Sequence, residues 1–215
     1  LAAVADVRVV PSPLDSLALA RKHPDKKVVF FTIGFETKAE LNALSVWQAK
    51  RLGLKNFFLL PSHPLVVSVC SKVLKSPESQ VQGILSPGEV CAVTGFSNYE
   101  RVAKKHNVPI VVSGYEPVDL LEGLLECVKM LESGKASIKN MFRRDVSRDG
   151  NKQAKALIGD VFEMVDSEWR GIGLVENGAY ALRPEYAQFD ADKAFPLEVS
   201  SRPDADFCIR HQILL

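Results

Sequence analysis

The sequence predicts an α/β protein: a doubly wound, mostly parallel sheet with flanking helices. Two observations carry this expectation. Between Val28 and Glu116 the chain alternates four times between a short apolar run and a helical pattern. That order is the one that gives a parallel sheet with right-handed crossovers. The runs themselves, residues 28–33, 57–60, 81–85 and 109–113, are almost free of polar alternation, which is how a strand buried on both faces reads.

Taken in order, residues 6–10 (Asp6-Val7-Arg8-Val9-Val10) read as a short strand that Pro11-Ser12-Pro13 breaks. Ser12 or Asp15 then caps a helix through Leu17, Leu19 and Ala20. The run at 28–33 follows a His23-Pro24-Asp25-Lys26 turn, and a helix over residues 39–52 follows the run. Its apolar side is read as Leu41, Leu44, Ala49 and Leu52, with Lys50 and Arg51 in the last turn and Gly53 as the stop. The second run, 57–60, leaves through Pro61-Ser62-His63-Pro64 into a helix over 65–75. The third, 81–85, leaves through Ser86-Pro87-Gly88-Glu89, and residues 98–105 read as helical. After the fourth run a helix over 119–131 is expected, with Leu120, Leu121, Leu124, Leu125 and Val128 as its core side. From Ala136 the texture changes. Residues 139–148 are basic and irregular, 151–165 form an amphipathic helix, 166–173 are turn-rich, and 177–215 show no strong period.

With 215 residues the chain can form one large domain or two small ones. Its 47% hydrophobic and 25% charged residues are ordinary for a globular protein, and a net charge of +1 gives no electrostatic case for nucleic acid or an anionic membrane. No apolar run is long enough to span a bilayer. The start, Leu1-Ala2-Ala3-Val4-Ala5-Asp6, lacks both a basic n-region and an initiator Met, as in a processed or partial chain. The cysteines, Cys70, Cys91, Cys127 and Cys208, are scattered without a Cys-x-x-Cys pair, which suits a reducing cytoplasmic setting and no disulfide framework. Cys70 and Cys127 read as small buried hydrophobes on helices.

Polar groups gather at the strand exits. Gly34-Phe35-Glu36-Thr37 and Gly114-Tyr115-Glu116-Pro117 are two versions of one turn, and Ser62-His63 and Glu89 occupy the other two exits. In one parallel sheet all four would sit on a single edge and line one cleft. Carboxylates with an imidazole could do acid–base work or hold a metal. Glu36 and Glu116 could instead favour the N-terminus of the helix that follows each. Trp169-Arg170-Gly171-Ile172-Gly173 has the spacing of neither a phosphate-binding loop nor a dinucleotide fingerprint, and no Gly-x-Ser-x-Gly elbow exists.

The ordered set of turns resembles the HypD family, the hydrogenase formation proteins of nickel–iron hydrogenases. It runs through Arg8-Val9-Val10-Pro11-Ser12-Pro13-Leu14-Asp15, Val28 to Thr37, a His after a strand, Ser86-Pro87-Gly88-Glu89-Val90, Ser113-Gly114-Tyr115-Glu116-Pro117-Val118-Asp119, Trp169-Arg170-Gly171-Ile172-Gly173 and Phe189-Asp190-Ala191. The resemblance implies two α/β lobes around a cleft and a scaffold role in assembling an iron centre carrying cyanide and carbon monoxide. It also implies a HypC-type chaperone and a HypE-type cyanide donor as partners, and a C-terminal region with a four-iron four-sulfur cluster. The cleft-lining candidates are Gly34, Phe35, Glu36, Thr37, His63, Glu89, Gly114 and Glu116. On this pattern residues 1–23 belong with an incomplete first lobe, 24–135 form an α/β lobe, and 136–215 cross back.

Several positions depart from the family. Lys38 replaces the second Thr of Gly-Phe-Glu-Thr-Thr, Glu89 replaces the His of Pro-Gly-His-Val, and Tyr115 replaces a Phe. The Cys-Gly-Pro-Gly-Cys-Pro-Val-Cys stretch is absent. Cys208 matches the first cysteine of the cluster region, but Arg210 stands where the second belongs. Because soft thiolates hold such iron, this chain alone is expected to bind no iron cofactor, with Cys208 a possible remnant of the cluster site. Two other readings stand beside the scaffold: a small-molecule enzyme using Glu36, His63 and Glu116, and a non-catalytic protein-binding remnant.

Overall fold

The computed structural model describes residues 6–169 and 171–196. Helix α1 (Pro13–Lys22) starts at a capping box, in which the Ser12 hydroxyl accepts from Leu14 N–H and the Asp15 carboxylate accepts from Ser12 N–H. Strand β1 (Val28–Ile33) runs into helix α2 (Glu36–Arg51), and β2 (Phe57–Ser62) into α3 (Val66–Lys75). Then come β3 (Ile84–Pro87), α4 (Gly88–Thr94), α5 (Ser97–His106), β4 (Ile110–Ser113), α6 (Pro117–Glu132) and β5 (Ile138–Asn140). Helix α7 (Lys152–Val161) leads into β6 (Phe162–Trp169), β7 (Gly173–Leu182), a 3-10 helix (Pro184–Phe189) and the one-turn α8 (Ala191–Ala194).

The fold is α/β, with parallel sheets flanked by helices, as the sequence predicts. The strands do not share one sheet, however. β1 and β2 pair in parallel, β3, β4 and β5 form a separate parallel sheet, and β6–β7 is an antiparallel hairpin. The hairpin docks on the chain leaving β2, where Tyr180 N–H donates to His63 O and Leu65 N–H to Gly178 O.

Two hydrophobic cores result. The first is built by Leu17 and Ala20 of α1, a small-residue stripe of α2 (Ala39, Ala43, Val46, Ala49), Phe57 and Leu59 of β2, and residues of α7, the hairpin and the 3-10 helix. The second gathers Cys91, Tyr99, Val102 and Ala103 against Ile110 and Val112 of β4. A small satellite of Val111, Cys127 and Met130 lies beneath α6.

Several expectations are corrected. Residues 6–10 form no strand; Arg8 instead pairs with Asp6 on the surface. β1 is not buried on both faces: one side carries Val28, Phe30 and Thr32, while Phe31 is 59% exposed on the other. Helix α2 begins at Glu36, so this residue lies in the helix, and Leu41 and Leu52 point to solvent. On α6 the expected core side is reversed. Gly123, Cys127 and Met130 face inward, while Leu120, Leu121, Leu124, Leu125 and Val128 are exposed, Leu121 by 68%. The reason is close packing: a Cβ on Gly123 would stand 2.8 Å from the Ser113 hydroxyl oxygen, so the helix rests on β4 through its small side chains. The third strand begins at Ile84 rather than Val81, α7 ends at Val161 so that residues 162–165 of the expected helix open strand β6, and the β6–β7 hairpin continues through the stretch expected to be turn-rich to Leu182.

Candidate functional site

The site is built at the end of β1. The strand stops at Gly34, whose φ of +149° lies where residues with a Cβ are strained. Its N–H donates to Ser62 O at 3.2 Å, keeping the turn attached to β2. Phe35 is the exposed N-cap of α2, Glu36 is the first helical residue and Thr37 is half-buried.

Glu36 is only 3% exposed. Its Oε1 accepts from Val66 N–H at 3.0 Å, and Val66 is the first residue of α3. One carboxyl therefore meets the N-termini of two helices, which favour negative charge. Burial opposes them and wins. It raises the carboxyl from its ordinary 4.5 to about 7, while the hydrogen bonds from the Glu36 and Val66 N–H groups pull the other way. Oε2 has no partner among the described residues. Glu36 lines a groove of about 1370 Å³ walled by α3, α5, α7 and the hairpin.

His63 is 1% exposed and locks this turn from beneath. Its Nδ1 is 2.8 Å from Gly34 O, and its Nε2 is 2.9 Å from Asn42 Nδ2. A carbonyl can only accept, so Nδ1 carries the proton. Burial lowers the imidazole below its usual range, which leaves the ring neutral and Nε2 an acceptor. Asn42 Nδ2 accordingly donates to it and to Thr32 Oγ1 at 2.7 Å. The ring also packs edge-on against Phe162, with centroids 5.9 Å apart. With both nitrogens engaged, His63 holds the turn rather than exchanging protons with solvent.

The second Gly-aromatic-Glu turn has a different outcome. Gly114 is buried, and a Cβ there would run into the Asp119 carboxylate and the Phe142 ring, so the position has room only for glycine. Glu116 is the exposed N-cap of α6 and makes no side-chain capping bond. The polar group fixed at this exit is Asp119, which binds Arg144 through two hydrogen bonds of 2.8 and 2.5 Å. The Arg144 guanidinium lies 4.2 Å above the Phe142 ring. Glu89 is exposed near the start of α4 and lines a shallow hollow with Phe142, Arg143 and Arg144.

The expected single edge is therefore divided between two sheets. Gly34, Phe35, Glu36, Thr37 and His63 belong to the β1–β2 sheet, and Glu89, Gly114 and Glu116 to the β3–β5 sheet. Neither His63 nor Glu116 borders the groove that Glu36 lines. The sequence reading missed Asn42, Asp119 and Arg144. Only the Asp119-to-Arg144 charge complementarity left a trace, and nothing local paired those two residues.

Among the described residues no group of three or more His, Cys, Asp or Glu side chains could hold a metal ion. Burial drives the Cys70 and Cys91 thiols up to about 11, so at neutral pH they are protonated rather than the thiolates that bind iron. The described residues thus do not fit an iron or iron–sulfur ligand set. Cys208 lies outside them. No helix among them is long and apolar enough to cross a membrane.

The profile described as "Hydrogenase formation hypA family" (HypD) matches residues 1–215. The hydrogenase maturation factor HypD of Azotobacter vinelandii is 41% identical over 210 residues, covering 95% of this chain and 55% of its own length. The HypD of Escherichia coli (strain K12) is 38% identical over 205 residues, covering 94% of this chain and 55% of its own length. That of Cupriavidus necator is 38% identical over 211 residues, at 95% and 56% coverage. This chain thus spans about half the length of the curated relatives it matches. A match over every residue, together with relatives that are 38–41% identical over nearly the whole chain, places the chain in the HypD family.

Proposed function

We propose that the chain serves nickel–iron hydrogenase maturation as the α/β body of a cytoplasmic scaffold on which an iron centre with cyanide and carbon monoxide ligands is assembled. The carrying observation is the family match across residues 1–215. The iron is cargo here, and no thiolate set for it stands among the described residues. A HypC-type chaperone and a HypE-type cyanide donor are the proposed partners. The part assigned to this chain is structural and electrostatic. The Gly34 turn, pinned by His63, presents Glu36 to the groove, and Glu36 offers a hydrogen-bond donor below pH 7 and a carboxylate above it.

The reading as an enzyme using Glu36, His63 and Glu116 loses its geometric basis, because only Glu36 faces the groove. Gel filtration of this chain with a HypC-type chaperone tests the scaffold reading. Co-elution as a defined complex is expected. Independent elution, repeated with a relative's cysteine-bearing segment fused ahead of Leu1, would count against it.

A further inference from the structure

We propose that the groove between α3, α5, α7 and the β6–β7 hairpin binds an extended, acidic polypeptide segment. At about 1370 Å³ the groove exceeds the roughly 300–1,000 Å³ of small-molecule sites. Its walls carry Lys72, Lys75, Arg101, Lys105, Lys155 and Arg183, against the carboxyl groups of Glu36, Glu163 and Glu176.

Among the described residues one of the six cations has a carboxylate partner: Lys75 lies 3.6 Å from Glu176. Among the described residues, no carboxylate oxygen lies within 4.0 Å of the other five. Elsewhere the protein pairs its arginines closely, as in Arg144 with Asp119 and Arg148 with Glu100. A whole-chain charge of +1 therefore hides a concentrated positive wall. The field is felt next door. Burial lowers the His106 imidazole, and the nearby Lys105 and Lys75 ammonium groups lower it further. His106 Nε2 is 3.3 Å from the hydroxyl of Ser71, which lines the groove.

Two features favour a polypeptide over an inorganic anion. First, Arg101 and Lys105 are one helical turn apart, about 6 Å along the axis of α5. Alternate side chains of an extended peptide recur on one face at roughly 7 Å, so acidic residues at every second position match that spacing. Second, the groove also carries the carboxyl groups of Glu36, Glu163 and Glu176; a compact phosphate is a poorer match beside them than an extended chain whose carboxylates can be spaced to meet the cations one by one. The groove is the one to which the proposed function has Glu36 presented, but the inference rests on the charge of its walls, so its test can fail without touching the hydrogenase role.

The test uses the full chain and two fluorescein-labelled ten-residue peptides, one alternating Glu and Gly and one alternating Gln and Gly, read by anisotropy. At about 50 mM NaCl the Glu peptide is expected to bind at least ~10-fold tighter than the Gln peptide, and the preference shrinks at about 300 mM as screening sets in. The exposed double variant Arg101→Glu/Lys105→Glu is expected to abolish the preference with an unchanged circular dichroism spectrum. Lys72→Glu/Lys155→Glu, on two other helices, should do the same, so misfolding of one element does not decide the result. Equal binding of the two peptides would overturn the proposal. So would an unchanged preference in both double variants, or displacement of the Glu peptide by phosphate at matched ionic strength.

Discussion

Replacing Glu36 by Gln probes the site through one proton. Gln keeps an oxygen for Val66 N–H and mimics the protonated carboxyl in size and charge. In the unfolded chain the Glu36 carboxyl titrates near its ordinary 4.5, and in the folded chain near 7. Between those values the native state holds the extra proton, so the stability of the wild type falls as pH rises through that window. The gap from 4.5 to about 7, at about 1.4 kcal/mol per pH unit, amounts to ~3 kcal/mol. Glu36→Gln lacks this loss. Urea denaturation of both proteins from pH 4 to pH 8.5 reads the difference, in which every other titrating group, His63 included, cancels. The variant should gain ~3 kcal/mol on the wild type between pH 4.5 and 7, with a flat difference outside that window. A difference independent of pH would refute the argument that burial outweighs two helix N-termini.

Other substitutions test the supports of the same turn. His63→Ala strands Gly34 O and the Asn42 amide and opens a cavity beside Phe162, so a loss of ~2–4 kcal/mol is expected by chemical denaturation; a loss below ~0.5 kcal/mol would contradict the network. Gly34→Ala forces a Cβ into φ +149° and toward the Lys38 side chain, and should cost more than ~1 kcal/mol; an unchanged urea midpoint would argue against the turn geometry. On α6, Met130→Ala should cost ~2–4 kcal/mol while Leu121→Gln stays within ~0.5 kcal/mol. The reverse order would restore the leucine face as the core side.

The helix comparison shows what local pattern can and cannot reveal. The limits of β1 were legible because Val28 to Ile33 is an unbroken run ending at a glycine. The inward faces of α2 and α6 were not. Both helices carry a leucine stripe beside a stripe of small residues, and the fold buries Ala39, Ala43 and Ala49 on one and Gly123 and Cys127 on the other. Periodicity detects both stripes, but close approach to a neighbouring element selects the small one. The hairpin was obscured because Glu163, Asp166, Ser167 and Glu168 interrupt the apolar residues of β6, whose exposed positions, Met164, Asp166 and Glu168, mix apolar and charged side chains.

At the site, Glu36 was legible as a carboxylate beside a helix start. Its burial was not, since Val66 comes from a helix thirty positions away in sequence. The same holds for His63, whose partners Gly34 and Asn42 lie on β1's exit and on α2. The matched appearance of Gly34–Glu36 and Gly114–Glu116 misled for the same reason. The two turns share residues but not surroundings, and only Glu36 has a second helix N-terminus to meet.

The scaffold account is tested most directly in a cell. In a strain lacking its own HypD, the matching segment of the Escherichia coli relative is replaced by this chain, and hydrogenase activity is assayed. The account predicts that the chimera restores activity and that Glu36→Ala in the chimera lowers it. A chimera that accumulates as folded protein and binds its HypC-type chaperone, yet yields no hydrogenase activity, would contradict it.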